Sequence, residues 1–185
     1  MTPGSAPLLT PEQRQTLLAL ARAAVVAQVT QARAPAYPGG DWPEATGVFV
    51  TVKADGDLRG CLGTLECRQD VPHEVARCAA DAASIDPRFD PVSRDELPRL
   101  TVEVSVLGPL VPLDPPGPDG VVVGRDGLVV EQGHRRGLLL PQVATERGWH
   151  PAHFLDQTCV KAGLPADAWR RGALVYRFEA DVFGE

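Results

Sequence analysis

Apolar positions along the chain repeat with two different periods. From Leu17 to Gln28, residues Leu17, Leu18, Ala21, Ala24 and Val25 fall on one stripe at helical spacing. Thr10 is a good N-cap, Pro11 suits the first helical position, and Gln13 stands where a capping box is closed. At Gly47 to Lys53 the period drops to two, with Val48, Val50 and Val52 against Phe49, Thr51 and Lys53. Asp55-Gly56-Asp57 is a hairpin turn signal, so Leu58 to Leu65 is predicted to return as the partner strand. Asp70 caps a predicted helix reaching to about Ser84, with Val75, Cys78, Ala79 and Ala82 on one face. Ser93 and Glu96 repeat the capping-box spacing over a short helical turn. Leu100 to Leu107 alternates most clearly, Leu100, Val102, Val104 and Val106 opposing Thr101, Glu103 and Ser105.

Beyond Leu107 the pattern is more broken. Gly108 to Gly120 is Pro-rich and reads as irregular, followed by short strands at 121–123, 128–131 and 138–140. Helices are predicted at 141–147 and 151–161, the second ending at Gly163 in the left-handed region, and 174–182 closes as a strand. Strands outnumber crossover helices. The predicted fold is therefore α+β, a largely antiparallel sheet flanked by helices. Residues 1–9 read as a flexible tail and residues 10–185 as a single domain.

Composition narrows the function classes. The chain of 185 residues hides roughly 70% of its unfolded surface on folding, so neither metal nor disulfide is needed for stability. Its net charge of −6 offers no general footprint for nucleic acid or an anionic membrane. No apolar run spans a bilayer, and the first ten residues lack the basic start of a signal peptide, so a cytoplasmic location is expected. Cys61, Cys67, Cys78 and Cys159 fall at uneven spacings, as reduced thiols do.

The densest chemistry is Leu58-Arg59-Gly60-Cys61-Leu62-Gly63. Glycines inside a strand mark a bulge or a close approach to the backbone. Here Gly60 and Gly63 bracket a thiol, and Arg59 shares its face in regular strand geometry. A neighbouring guanidinium favours the thiolate, the nucleophilic form of a group that ordinarily titrates near about 8.5. Arg59 also suits bidentate capture of a small anion. Free cysteine is equally at home as a small core hydrophobe, and no His or second Cys stands at a diagnostic spacing.

At this hexad the sequence resembles the AMMECR-domain family, whose hallmark is LRGCIG, and more narrowly its prokaryotic AmmeMemoRadiSam system A branch. The resemblance extends to DPRF at Asp86–Phe89, EVSVL at Glu103–Leu107 and LLLPQVATERGW at Leu138–Trp149. It continues through the run from Phe154 to Leu164 and the close from Tyr176 to Glu185. It implies a larger and a smaller subdomain in one compact unit. It also implies two partners, a Memo-like protein related to extradiol dioxygenases and a radical-SAM protein. Leu62 stands for the family Ile, and Asp126 for the His of an expected GRHG, which removes one candidate acid/base group.

Cys61 is thus the candidate catalytic residue. Arg59, Gly60, Gly63, Glu103, Ser105, Asp86 and Arg88 are candidate substrate-binding residues. For Glu103 and Ser105 the simpler role is a solvated strand face, and for Asp86 and Arg88 a structural turn with a local ion pair. Pro151 separates His150 from His153 and no third ligand follows, so no metal is expected, nor a cofactor. Two functional readings follow: a pocket-bearing component with a reactive thiol, or a non-catalytic adaptor.

Overall fold

The computed structural model describes residues 8–185. It is an α+β protein in which the strands pair antiparallel. The chain divides into two compact units, one reaching to Gly108 and regaining Asp181–Glu185 at its end, the other Pro109–Ala180. The expected tail, residues 1–9, lies outside the described residues up to position 7. Leu9, however, is fully buried, and its N–H donates to Asp181 Oδ2 at 3.1 Å. The ordered domain therefore begins before Thr10.

In the first unit, α1 (Pro11–Thr30) starts with the capping box: Gln13 N–H donates to Thr10 Oγ1 at 3.1 Å, and Thr10 N–H to Gln13 Oε1 at 2.9 Å. β1 (Gly47–Ala54) is the central strand, between β2 (Asp57–Thr64) and β3 (Leu100–Leu107). α2 (Val71–Ser84) is capped by Asp70, which accepts from His73 N–H at 3.1 Å. Val48, Val50 and Val52 of β1, with Val102, Val104 and Val106 of β3, form a core with Leu17, Val25, Val75 and Ala79 of the helices. The period of two has done its work: one face of the sheet is closed by helices, the other carries the polar alternates. Gly60 faces the helix side. A methyl there would overlap the Ala82 carbonyl oxygen, so glycine is what lets α2 lie close against β2.

In the second unit, β5 (Asp126–Gln132) pairs with β6 (Arg135–Leu139) and with β7 (Leu174–Gly184), which also pairs with the short β4 (Val111–Pro112). α3 (Pro141–Glu146) and α4 (Pro151–Lys161) complete it, with Phe154, Leu155, Leu128, Val130 and Trp169 in its core. Gly163 adopts φ 73°, the left-handed stop expected of it. Two expectations are corrected. Val121–Val123 is not a strand: Arg125 and Asp126 N–H groups both turn back to the Val122 carbonyl, and Val122 N–H donates to the buried Asp126 carboxylate at 2.8 Å. The Pro-rich stretch, expected to be irregular, instead supplies β4.

Candidate functional site

β2 is an edge strand that pairs with β1, and its register is the key to the hexad. Gly60 opposes Val52 while Leu58 opposes Lys53, leaving Arg59 as the extra residue of a bulge. Strict alternation fails at that point, so the expected side-by-side placement of Arg59 and Cys61 does not follow from strand geometry. Cys61 opposes Thr51, which on its other side opposes Glu103; Gly63, Phe49 and Ser105 form the next row. Directly opposed residues of antiparallel strands point the same way. A thiol, a hydroxyl and a carboxylate therefore run across the face away from the helices, Cys61 and Glu103 about 10 Å apart by two strand spacings.

Cys61 is half-buried, and its sulfur accepts a hydrogen bond from Thr51 Oγ1 at 3.3 Å. Its main chain is fixed by the loop after α2. Cys61 N–H donates to Asp86 Oδ2 at 2.8 Å, and Arg88 Nη2 donates to the Cys61 carbonyl at 3.2 Å. Asp86 is buried and also takes Arg88 Nε at 3.0 Å, Arg88 Nη2 at 2.7 Å and Arg88 N–H at 3.1 Å. The Arg88 guanidinium and then the two N–H groups overcome desolvation, holding the Asp86 carboxyl well below the usual carboxylate range. Two side chains thus give Cys61 what a neighbouring strand would give, closing the outer edge of β2 at that residue.

Arg59 is committed elsewhere. Its Nε and Nη2 reach the two Glu96 oxygens at 2.5 and 3.0 Å, and Nη1 and Nη2 both donate to the Asp90 carbonyl at 3.3 Å. Glu96, which the sequence marked for a capping box, does accept from Ser93 N–H at 2.8 Å. The Arg59 guanidinium, followed by Ser93 N–H, lowers its carboxyl from an ordinary 4.5 to about 2. Glu96 is the site residue that sequence reasoning missed. Its only local signal, the Ser-x-x-Glu spacing, describes a helical turn and says nothing of a partner 37 residues away.

The AMMECR1 family model matches residues 18–183. The chain belongs to the AMMECR1 family. Among its relatives, a protein of Thermofilum pendens is 44% identical, covering 96% of this chain and 92% of its own length. One of Methanothermobacter thermautotrophicus is also 44% identical, with 96% of each chain covered. The crystal structure of an uncharacterized protein from Pyrococcus horikoshii is similar over 96% of this chain and 93% of that one, with 39% identity and a TM-score of 0.80.

In this AMMECR1-family chain the remaining predicted site residues divide by location. Glu103 and Ser105 lie on the Cys61 side of the sheet, where Glu103 meets Lys53 Nζ at 3.6 Å and has no bond to Arg59. Gly63 leaves room for the Phe49 ring opposite it, an aromatic covering a strand glycine. Gly60 belongs to the packing of α2. Among the other thiols, burial pushes Cys67 up to about 11 and Cys78 up to about 12, and raises Cys159 as well.

Proposed function

We propose that this AMMECR1-family protein is a cytosolic component acting through the sheet face that carries Cys61, with the thiol as its reacting group. In this reading it works alongside a Memo-like, dioxygenase-related protein and a radical-SAM protein, as the resemblance of its motifs implies. The observation that carries the reading is the way Cys61 is held. Asp86 and Arg88 bind both main-chain groups of a half-buried residue whose sulfur lies beside the Thr51 hydroxyl. A nucleophile gains from such fixing, because a group already in position loses little freedom when it reacts. Arg88 is exposed and donates to the Cys61 carbonyl, while Asp86 takes its Nε and Nη2 and offsets its charge, so its part is to support Cys61.

The test is competitive alkylation. Under limiting iodoacetamide, peptide mass spectrometry is expected to find Cys61 modified ahead of Cys67, Cys78 and Cys159. Cys61→Ser is expected to keep the melting temperature and lose the protein's effect on reactions of its two partners. Labelling of Cys67 or Cys78 before Cys61 would sink the thiol reading. A second reading, a non-catalytic adaptor, draws support from one observation: the Arg59 fork is occupied by Glu96 and holds the loop in place. It is distinguished by a Cys61→Ser variant that binds both partners and retains full effect.

A further inference from the structure

A recess lies in the first unit, lined by residues outside the hexad. It is a groove of about 400 Å³ between the second half of α1 and the middle of α2, with the segment 32–37 along its rim. That volume falls within the range of small-molecule sites. Its depth comes from side-chain size: Ala24 and Ala27 of α1 face Ala76 and Ala80 of α2, and methyl groups leave a hollow where larger residues would fill it.

What surrounds the hollow is polar and pre-arranged. Tyr37 lines the groove and stacks on the His73 imidazole, ring centroids 3.8 Å apart and planes 20° from parallel. His73 is itself held by its Nδ1 against Asp70 Oδ1 at 2.5 Å, the carboxylate that caps α2. Tyr37 is thus backed by a fixed imidazole while remaining 44% exposed. Arg77 also lines the groove, its edge fixed by Glu74 Oε2 at 2.7 Å and Asp81 Oδ2 at 3.1 Å. With that edge in use, the planar face is what a guanidinium still offers. Gln28 and Gln31 add two carboxamides, each able to donate and accept. Gln31 holds its place at φ 57°, the left-handed helix stop that glycine ordinarily takes.

We infer that this groove binds a flat heteroaromatic small molecule, stacked against Tyr37 and Arg77 and read along its edge by the Gln28 and Gln31 carboxamides. An anionic ligand is disfavoured, because Glu74 and Asp81 neutralise Arg77. Stacking asks for a planar partner, and supports held rigid before binding lose little freedom on forming the complex.

The test is chemical-shift mapping of the full chain with millimolar adenine, using cyclohexanecarboxamide as a puckered control that keeps an adjacent hydrogen-bond donor and acceptor. Adenine is expected to move the amide signals of Ala24, Ala76 and Ala80, and the control to leave them unmoved. Tyr37→Ala is expected to weaken adenine binding about tenfold, with Tyr37→Phe close to the parent. Ala80→Leu, which keeps a good helix former at that position, is expected to abolish binding with the rest of the spectrum intact. The inference is overturned if adenine leaves these signals unmoved, if the puckered control binds as well, or if Ala80→Leu binds like the parent.

Discussion

At the scale of single residues, the ion pair of Arg59 and Glu96 decides how the hexad is held. Both side chains are about four-fifths covered, being 20% and 18% exposed, so the pair is less screened than an ordinary surface pair. Glu96→Gln removes the charge and is expected to cost about 1–2 kcal/mol in urea unfolding. The sign with pH follows from the lowered carboxyl. Its folded value lies below its ordinary 4.5, so the stabilisation is complete above about pH 4.5 and is lost as pH falls through about 2. The fall in unfolding midpoint over that interval is expected to be shallower in Glu96→Gln. An equal slope in parent and variant would mean the pair contributes nothing to folding. Thr51 and Lys53 show the same lesson from the other side: they read as the polar alternates of a strand, and only strand pairing puts them beside Cys61 and Glu103.

At the scale of elements, the loop after α2 acts as a partial strand. An outer strand left open exposes N–H and C=O groups to water and to other chains. Asp86 and Arg88 close those of Cys61 from a distance of 25 and 27 residues in sequence. Asp86→Ala is therefore expected to speed amide hydrogen exchange at Cys61 well above the parent rate, leaving central β1 amides such as Val50 protected. Slow exchange at Cys61 in the variant would show that the carboxylate is not what protects it. DPRF is legible in the sequence as a rigid turn, and the structure agrees that it is one. Its attachment to the hexad was not legible, because a turn motif fixes local dihedrals and leaves open which strand it meets.

At the scale of the whole molecule, the first unit is built from both ends of the described chain. Asp181 accepts from Leu9 N–H at 3.1 Å and from Arg14 Nε at 3.1 Å, and Glu185 accepts from Val102 N–H at 3.0 Å. Asp181→Ala leaves the buried Leu9 N–H without a partner, with an expected loss of about 1–3 kcal/mol in denaturant unfolding. Unchanged stability would mean that Leu9 is not anchored by this bond. Among the described residues, no helix is long and apolar enough to cross a membrane.

Periodicity by itself determined the α+β class, the three strands around the hexad, and the caps at Thr10, Asp70 and Gly163. These depend on interactions within a few residues: side-chain alternation, a hydroxyl or carboxylate reaching the next turn, and the freedom of glycine. Local signals fail at Val121–Val123, where β-branched residues suggest a strand and the buried Asp126 carboxylate draws them into a turn. Tertiary structure alone decided that Arg59 goes to Glu96, that Asp86 and Arg88 hold Cys61, and that Gly60 makes room for α2. Each of these contacts joins segments far apart in the chain. Which of many suitable partners meets a given side chain depends on how the elements pack, and a one-dimensional pattern does not carry that information.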